Sequence, residues 1–388
     1  MIAIRGGKLY TITDGVIEGG ILLIEGRKIK AVGKDVILHP GCKVIDAGNK
    51  VVMPGFVEAH CHVGSFDEAQ GIMGHDGNEM TNPVTAHLRA IDSLYPQDLG
   101  FEDARSGGVS TMCVLPGSAN VIGGTGVVVK ARKVGDVNDM IINRYGGLKV
   151  AFGENPKAVY GHLQKKTPIT RMGVAGLFRK AVVSALNYAK KKELGEQDPE
   201  KAPERDLDKE AILEVIEGKM PLRAHAHRSD DILTAIRLAD EFGFKVSIEH
   251  CTEGHLIVKE LKKAKVPVLV GPSIVHRSKL ETKERTFATA GILERAGLKV
   301  AIMTDAPILP IQYLAVAGGL AQREGMSPEG ALRGITLTPA EILGVDDRVG
   351  SLSAGKDADF SIWDGHPFDT RSRMEAFYID GKQVWKRK

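Results

Sequence analysis

The chain has no run of about eighteen consecutive apolar residues, the least that spans a bilayer as a helix, so no segment reads as membrane-spanning. Its start, Met1-Ile2-Ala3-Ile4-Arg5, enters strand-like sequence at once. It lacks the basic, apolar and small-residue regions of a signal peptide, and a cytoplasmic location is expected. No sign of charge dominates. The 52 basic and 49 acidic residues leave a formal charge of +3, which is no electrostatic footprint for nucleic acid. Cysteine is scarce, and Cys42, Cys61, Cys113 and Cys251 form no Cys-x-x-Cys pair, so they read as reduced thiols. The glycine-rich stretch Gly117 to Gly124 lacks the Lys-Ser/Thr of a phosphate loop and reads as an active-site loop instead.

What is present is organised around Pro54-Gly55-Phe56-Val57-Glu58-Ala59-His60-Cys61-His62. Residues i and i+2 of a strand face the same side, so His60 and His62 point together into one space. Two converging imidazoles suit a borderline divalent metal. Cys61, and likewise Cys251 beside His250, alternates with a histidine and is expected to face away as buried filler.

Residues 1–52 read as short strands with glycine-rich turns, a small antiparallel unit with little core of its own. The other end also reads as β, with Asp380-Gly381 as a hairpin turn between alternating runs. One β-sandwich built from 1–52 and 346–388 is expected. Between them, 53–345 alternates strands and helices and has the length of a (β/α)₈ barrel. Seven strands are evident, and the eighth is expected within Thr125 to Tyr145. Two helices are expected over Ala175 to Leu194 and Leu207 to Glu217, separated by a charged, solvated stretch.

Catalytic groups of such barrels gather at the C-terminal ends of the strands. The expected strands end in His60 and His62, His225, His250 and Asp305, with Lys149 and Glu154 around the end of another. Four histidines and an aspartate placed alike point to a metal site. His227, two residues past His225, is assigned to the surroundings of the metal or to substrate contact, and Arg228 to capture of a substrate carboxylate. His87 and His276 read as ordinary loop histidines.

These residues resemble the amidohydrolase superfamily, in particular its imidazolonepropionase-related branch. The resemblance takes in the Pro-Gly-(x)₄-His-x-His entry, His225, His250, Asp305 in Met303-Thr304-Asp305-Ala306-Pro307, and the closing Gly350-Ser351 and Gly355-Lys356-Asp357-Ala358-Asp359. It implies a metal-bearing (β/α)₈ barrel with a β-sandwich assembled from both termini. By matching position, His60, His62, His225 and His250 would bind one or two divalent ions, commonly zinc, and Asp305 would touch the metal and act as general base. The bridging ligand stays open between Lys149, carboxylated, and Glu154. The implied reaction is hydrolysis of an amide or cyclic amide C–N bond in a small molecule or dipeptide-like substrate. Deaminases of this scaffold usually carry a glutamate three residues after the matching histidine, but His225 is followed by Ala226-His227-Arg228. Lactone hydrolysis would use the same site. A non-catalytic assembly relative would typically have lost ligands that this chain keeps. Relatives often form dimers or larger assemblies, and the same is allowed here.

Overall fold

The computed structural model describes residues 1–68 and 71–388. The chain opens with strands β1 (Ile2–Tyr10), β2 (Val16–Glu18), β3 (Ile21–Glu25), β4 (Lys28–Gly33) and β5 (Lys43–Pro54). The β3–β4 hairpin turns through Gly26, whose φ of 59° is a left-handed value that a two-residue hairpin demands.

Eight strands then make the central sheet: β6 (Phe56–Cys61), β7 (Val109–Val114), β8 (Ile122–Lys130), β9 (Ile141–Ala151), β10 (Leu222–Ala226), β11 (Val246–His250), β12 (Val268–Val270) and β13 (Val300–Ile302). Neighbours in sequence are neighbours in the sheet. Nearly all their residues are buried, as a sheet covered on both faces requires. The result is a TIM-like barrel with two departures from the expected form. First, the eighth strand, β8, runs antiparallel to both β7 and β9. The links to it, residues 115–121 and 131–140, are too short for the helical crossover that parallel neighbours need. Second, β13 and β6 meet through single hydrogen bonds rather than a ladder. The His62 N–H donates to the Ala306 carbonyl at 2.8 Å, and Thr304 donates through its N–H and Oγ1 to the Glu58 carboxyl at 2.7 and 2.6 Å.

Helices pack outside the barrel through apolar stripes. Ser229–Phe242 buries Ile232, Ala235, Ile236, Leu238 and Ala239 and ends on a left-handed Gly243. The long helix Arg171–Gln197 starts at Thr170, whose Oγ1 accepts the Gly173 N–H. Among the described residues no helix is long and apolar enough to cross a membrane.

The chain ends in β14 (Phe360–Trp363), β15 (Met374–Ile379) and β16 (Lys382–Lys386). These join the first five strands in a sheet ordered β16-β15-β14-β5-β1-β3-β4, with β2 on β1. Both termini thus build one β unit, as a single mixed sheet. Its two ends meet: the β3–β4 hairpin hydrogen-bonds to the 355–358 segment, for example from the Ile29 N–H to the Lys356 carbonyl at 2.9 Å. Ile4, Leu22 and Ile24 share a core with Phe360, Ile362 and Tyr378.

Barrel and terminal sheet are joined at Lys130, the last residue of β8. Its fully buried ammonium lies 2.7 Å from Asp357, 2.9 Å from Asp359 and 2.7 Å from Asp380.

Candidate metal centre

The site is built from the C-terminal ends of the barrel strands. On β6, Glu58 and His60 share a face, and the His60 N–H donates to the Glu58 carboxyl at 2.9 Å. The His60 Nδ1 lies 2.7 Å from Glu249 Oε2. Glu249 is held in turn by Arg223, at 2.8 and 3.1 Å, and by Ser247 Oγ at 2.5 Å. A carboxylate on Nδ1 fixes the proton there and leaves Nε2 as a bare donor. The same logic serves His62, whose Nδ1 lies 2.8 Å from the Leu115 carbonyl, and His250, whose Nδ1 lies 2.9 Å from that of Gly271. His225 differs, because its Nδ1 is buried and has no hydrogen-bond partner among the described residues.

Strand alternation would turn Glu249 and His250 to opposite faces. His250 escapes it through a left-handed backbone, φ 69°, at the strand's last residue. Asp305, just past β13, has φ 54°. Two non-glycine residues in this region at one site are the kind of strain that functional sites hold.

The side chains converge. Asp305 Oδ1 lies 3.4 Å from His60 Nε2 and 3.2 Å from His62 Nε2, and Oδ2 lies 4.0 Å from His250. The Lys149 ammonium is 3.2 Å from His60 Nε2. The rings of His225 and His227 are 4.4 and 4.5 Å from that of His250. One donor atom from each of His225, His227 and His250 lies within 4.8 Å of the others, and the same holds for His60, His62 and Asp305.

Burial sets the charge states. It pushes His60 down to about 3, with Lys149 adding to the effect, and His250 down to about 4 against the pull of Asp305. His225 and His227 are held well below the ordinary histidine range by burial and by their histidine neighbours. Burial alone would raise Asp305, but His250, His62 and His60 outweigh it and hold the carboxyl well below its usual range. Neutral imidazoles beside an ionised carboxylate form a donor set that fits a divalent cation, and the orphaned His225 Nδ1 is an otherwise unexplained buried donor. Burial also brings Lys149 down to about 8.

Two of the expected residues are not brought in. The Glu154 carboxylate accepts the Glu281 N–H at 3.0 Å, while its own N–H donates to Glu281. Its position after the strand turns it to the loop that follows β12. Arg228 forks onto Asp230 at 3.0 and 2.9 Å and is spent there. His87 pairs with Asp208 on a half-exposed surface, and His276 is exposed. Sequence reading missed Glu249 and Arg223, whose i+2 spacing from Ser247 and His225 was the available signal. It also missed Asn155 and Lys279, for which local sequence holds none.

A sequence profile described as the amidohydrolase family matches residues 201–385. A crystal structure of an amidohydrolase from Thermotoga maritima MSB8 is 45% identical over 100% of both chains, with a TM-score of 0.96. The amidohydrolase tasK of Hapsidospora irregularis is 29% identical over 97% of this chain, which spans 40% of the length of that protein. Imidazolonepropionase of Shewanella baltica matches at 56% identity, but over 39 residues and 10% of each chain. The likeness to that branch rests on short matches of this kind.

Proposed function

Because the chain belongs to the amidohydrolase superfamily, we propose that it is a metal-dependent hydrolase of an amide or cyclic amide C–N bond in a small molecule. The observation that carries this reading is the convergence of five buried imidazoles with Lys149 and Asp305. His60, His62, His225 and His250 would hold one or two divalent ions, with Lys149 between the two groups of donors and His227 at their edge. A neutral amine is the form that adds carbon dioxide, and burial favours that form at Lys149. The resulting carbamate would offer two oxygens to the metal. When bound, such an ion lowers the pKa of water and polarises a carbonyl.

The remaining steps belong to the chain. Asp305, ionised and touching three histidines, accepts the proton of the attacking water and returns it to the leaving nitrogen. Glu249 and Arg223 keep the His60 ring in one tautomer and orientation. Cleavage of dipeptide-like substrates is part of the same proposal, as is a lactone of similar shape.

The test is metal content per chain, on protein purified without chelator, for wild type, Lys149→Ala and Glu154→Ala. About two ions in wild type and one or fewer in Lys149→Ala alone is the expected result. An equal loss in Glu154→Ala would move the bridge to the glutamate. Protein that neither carries nor takes up metal would end the catalytic reading.

A further inference from the structure

We propose that the substrate carries a carboxylate and that Lys279 binds it, an inference that rests on the hydrolytic site described above. The loop that follows β12 leaves the barrel at Gly271, whose carbonyl already orients His250. Lys279 lies on this loop and connects to the histidines by two routes. Its Nζ donates to Asn155 Oδ1 at 2.6 Å, and Asn155 Nδ2 lies 3.5 Å from His225 Nε2. Its Nζ is also 3.6 Å from Glu281 Oε1, which lies 3.9 Å from His227 Nε2. Each route places one residue between the ammonium and the cluster.

Exposure separates Lys279 from its surroundings. Its side chain is 36% exposed, whereas that of Glu281 is fully buried. The Lys279 side chain is therefore anchored on a buried base and stays partly exposed. Of its three protons, one is engaged by Asn155, and the Glu281 oxygen beside it makes no hydrogen bond.

Three arginines near the cluster are held by carboxylates. Arg223 is locked to Glu249, Arg228 to Asp230 and Arg171 to Asp231. Arg285 gives its Nη1 to the carbonyls of Val275 and His276, which braces the loop that carries Lys279. Lys149 is buried within the cluster itself. Lys279, with one of its three protons given to Asn155, retains donors that an incoming anion can use.

A carboxylate fits better than a phosphate. Phosphate sites present several free backbone N–H groups. In the glycine-rich loop three of those groups are taken: Gly117 donates to the Gly77 carbonyl at 2.8 Å, Ala119 to Asn78 Oδ1 at 3.0 Å and Ile122 to the Pro83 carbonyl at 3.2 Å. An ammonium that already faces Glu281 suits a singly charged carboxylate better than a multiply charged group.

The test is calorimetric titration of zinc-loaded wild type, Lys279→Met and Lys279→Arg with N-acetyl-L-alanine, N-acetyl-L-leucine and their primary amides. Hydrolysis of the same compounds is followed in parallel. Wild type should bind the acids about 10- to 100-fold more tightly than the amides. Lys279→Met should erase that preference by weakening the acids alone, and Lys279→Arg should restore much of it. Equal binding of acid and amide by wild type, binding of neither, or an equal loss of both in Lys279→Met overturns the inference. A carboxylate preference that depends on Lys279, without hydrolysis of any compound, supports this inference and counts against the hydrolase reading.

Discussion

Asp305 combines an ionised carboxylate with contacts to three imidazoles, and its removal should separate holding from turnover. Asp305→Asn keeps the shape and loses the base, so kcat should fall by about 10²–10⁴-fold while most of the bound metal stays. Loss of metal in proportion to activity would make Asp305 a ligand first. Glu249 acts through His60, whose Nδ1 it holds. In Glu249→Gln the bond to His60 Nδ1 survives without its charge, and metal affinity should drop by about 10- to 100-fold, measured by competition with a chelator. His60, His62, His225, His250 and Asp305 were legible in the sequence because strand ends and His-x-His spacing are local patterns. Glu249 was not, since its partner His60 lies 189 residues away.

At the scale of elements, β8 is the departure that shapes this end of the barrel. An antiparallel strand between two others needs close backbones, and glycines supply them. A Cβ on Gly146 of β9 would stand 2.7 Å from the Gly126 backbone of β8 and 2.9 Å from Cys113 Sγ of β7. Gly146→Ala should therefore push β8 away and cost about 1–3 kcal/mol in denaturant unfolding. An unchanged midpoint would mean that the sheet relaxes there freely. The presence of a strand near Thr125 was legible from its valines. Its direction was not, because direction depends on what the short links 115–121 and 131–140 can span.

For the whole molecule, Lys130 and its three aspartates form the joint between barrel and terminal sheet. Lys130→Met leaves buried Asp359 without its cation, takes one of several from Asp357 and Asp380, and should destabilise the fold by about 3–5 kcal/mol. The joint also implies acid sensitivity. Burial would raise Asp357, but Lys130, Lys28 and Arg348 overcome it and hold the carboxyl well below the usual range. Asp380 is lowered in the same way by Lys130 and Arg132, while burial keeps Asp359 raised. A depressed carboxyl stabilises the fold fully above its unfolded pKa. That contribution is lost as pH falls through the range down to the folded value. Thermal unfolding of wild type should thus weaken below about pH 4, and Lys130→Met should show a shallower dependence there. Parallel curves for the two proteins would place the acid-labile groups elsewhere.

The sequence by itself determined the class of fold, the β character of both ends and the histidines and aspartate at the barrel's mouth. Those features follow from periodicity and from motifs a few residues long. Tertiary structure decided what depends on distant partners. Lys149 reaches His60, whereas Glu154 is drawn off by Glu281. The left-handed turns at His250 and Asp305 aim side chains that strand alternation alone would misplace. Lys279 reaches Asn155 across 124 residues of chain. A hydrogen bond between residues far apart in the chain leaves no trace in either neighbourhood, which is why these assignments had to come from the folded molecule.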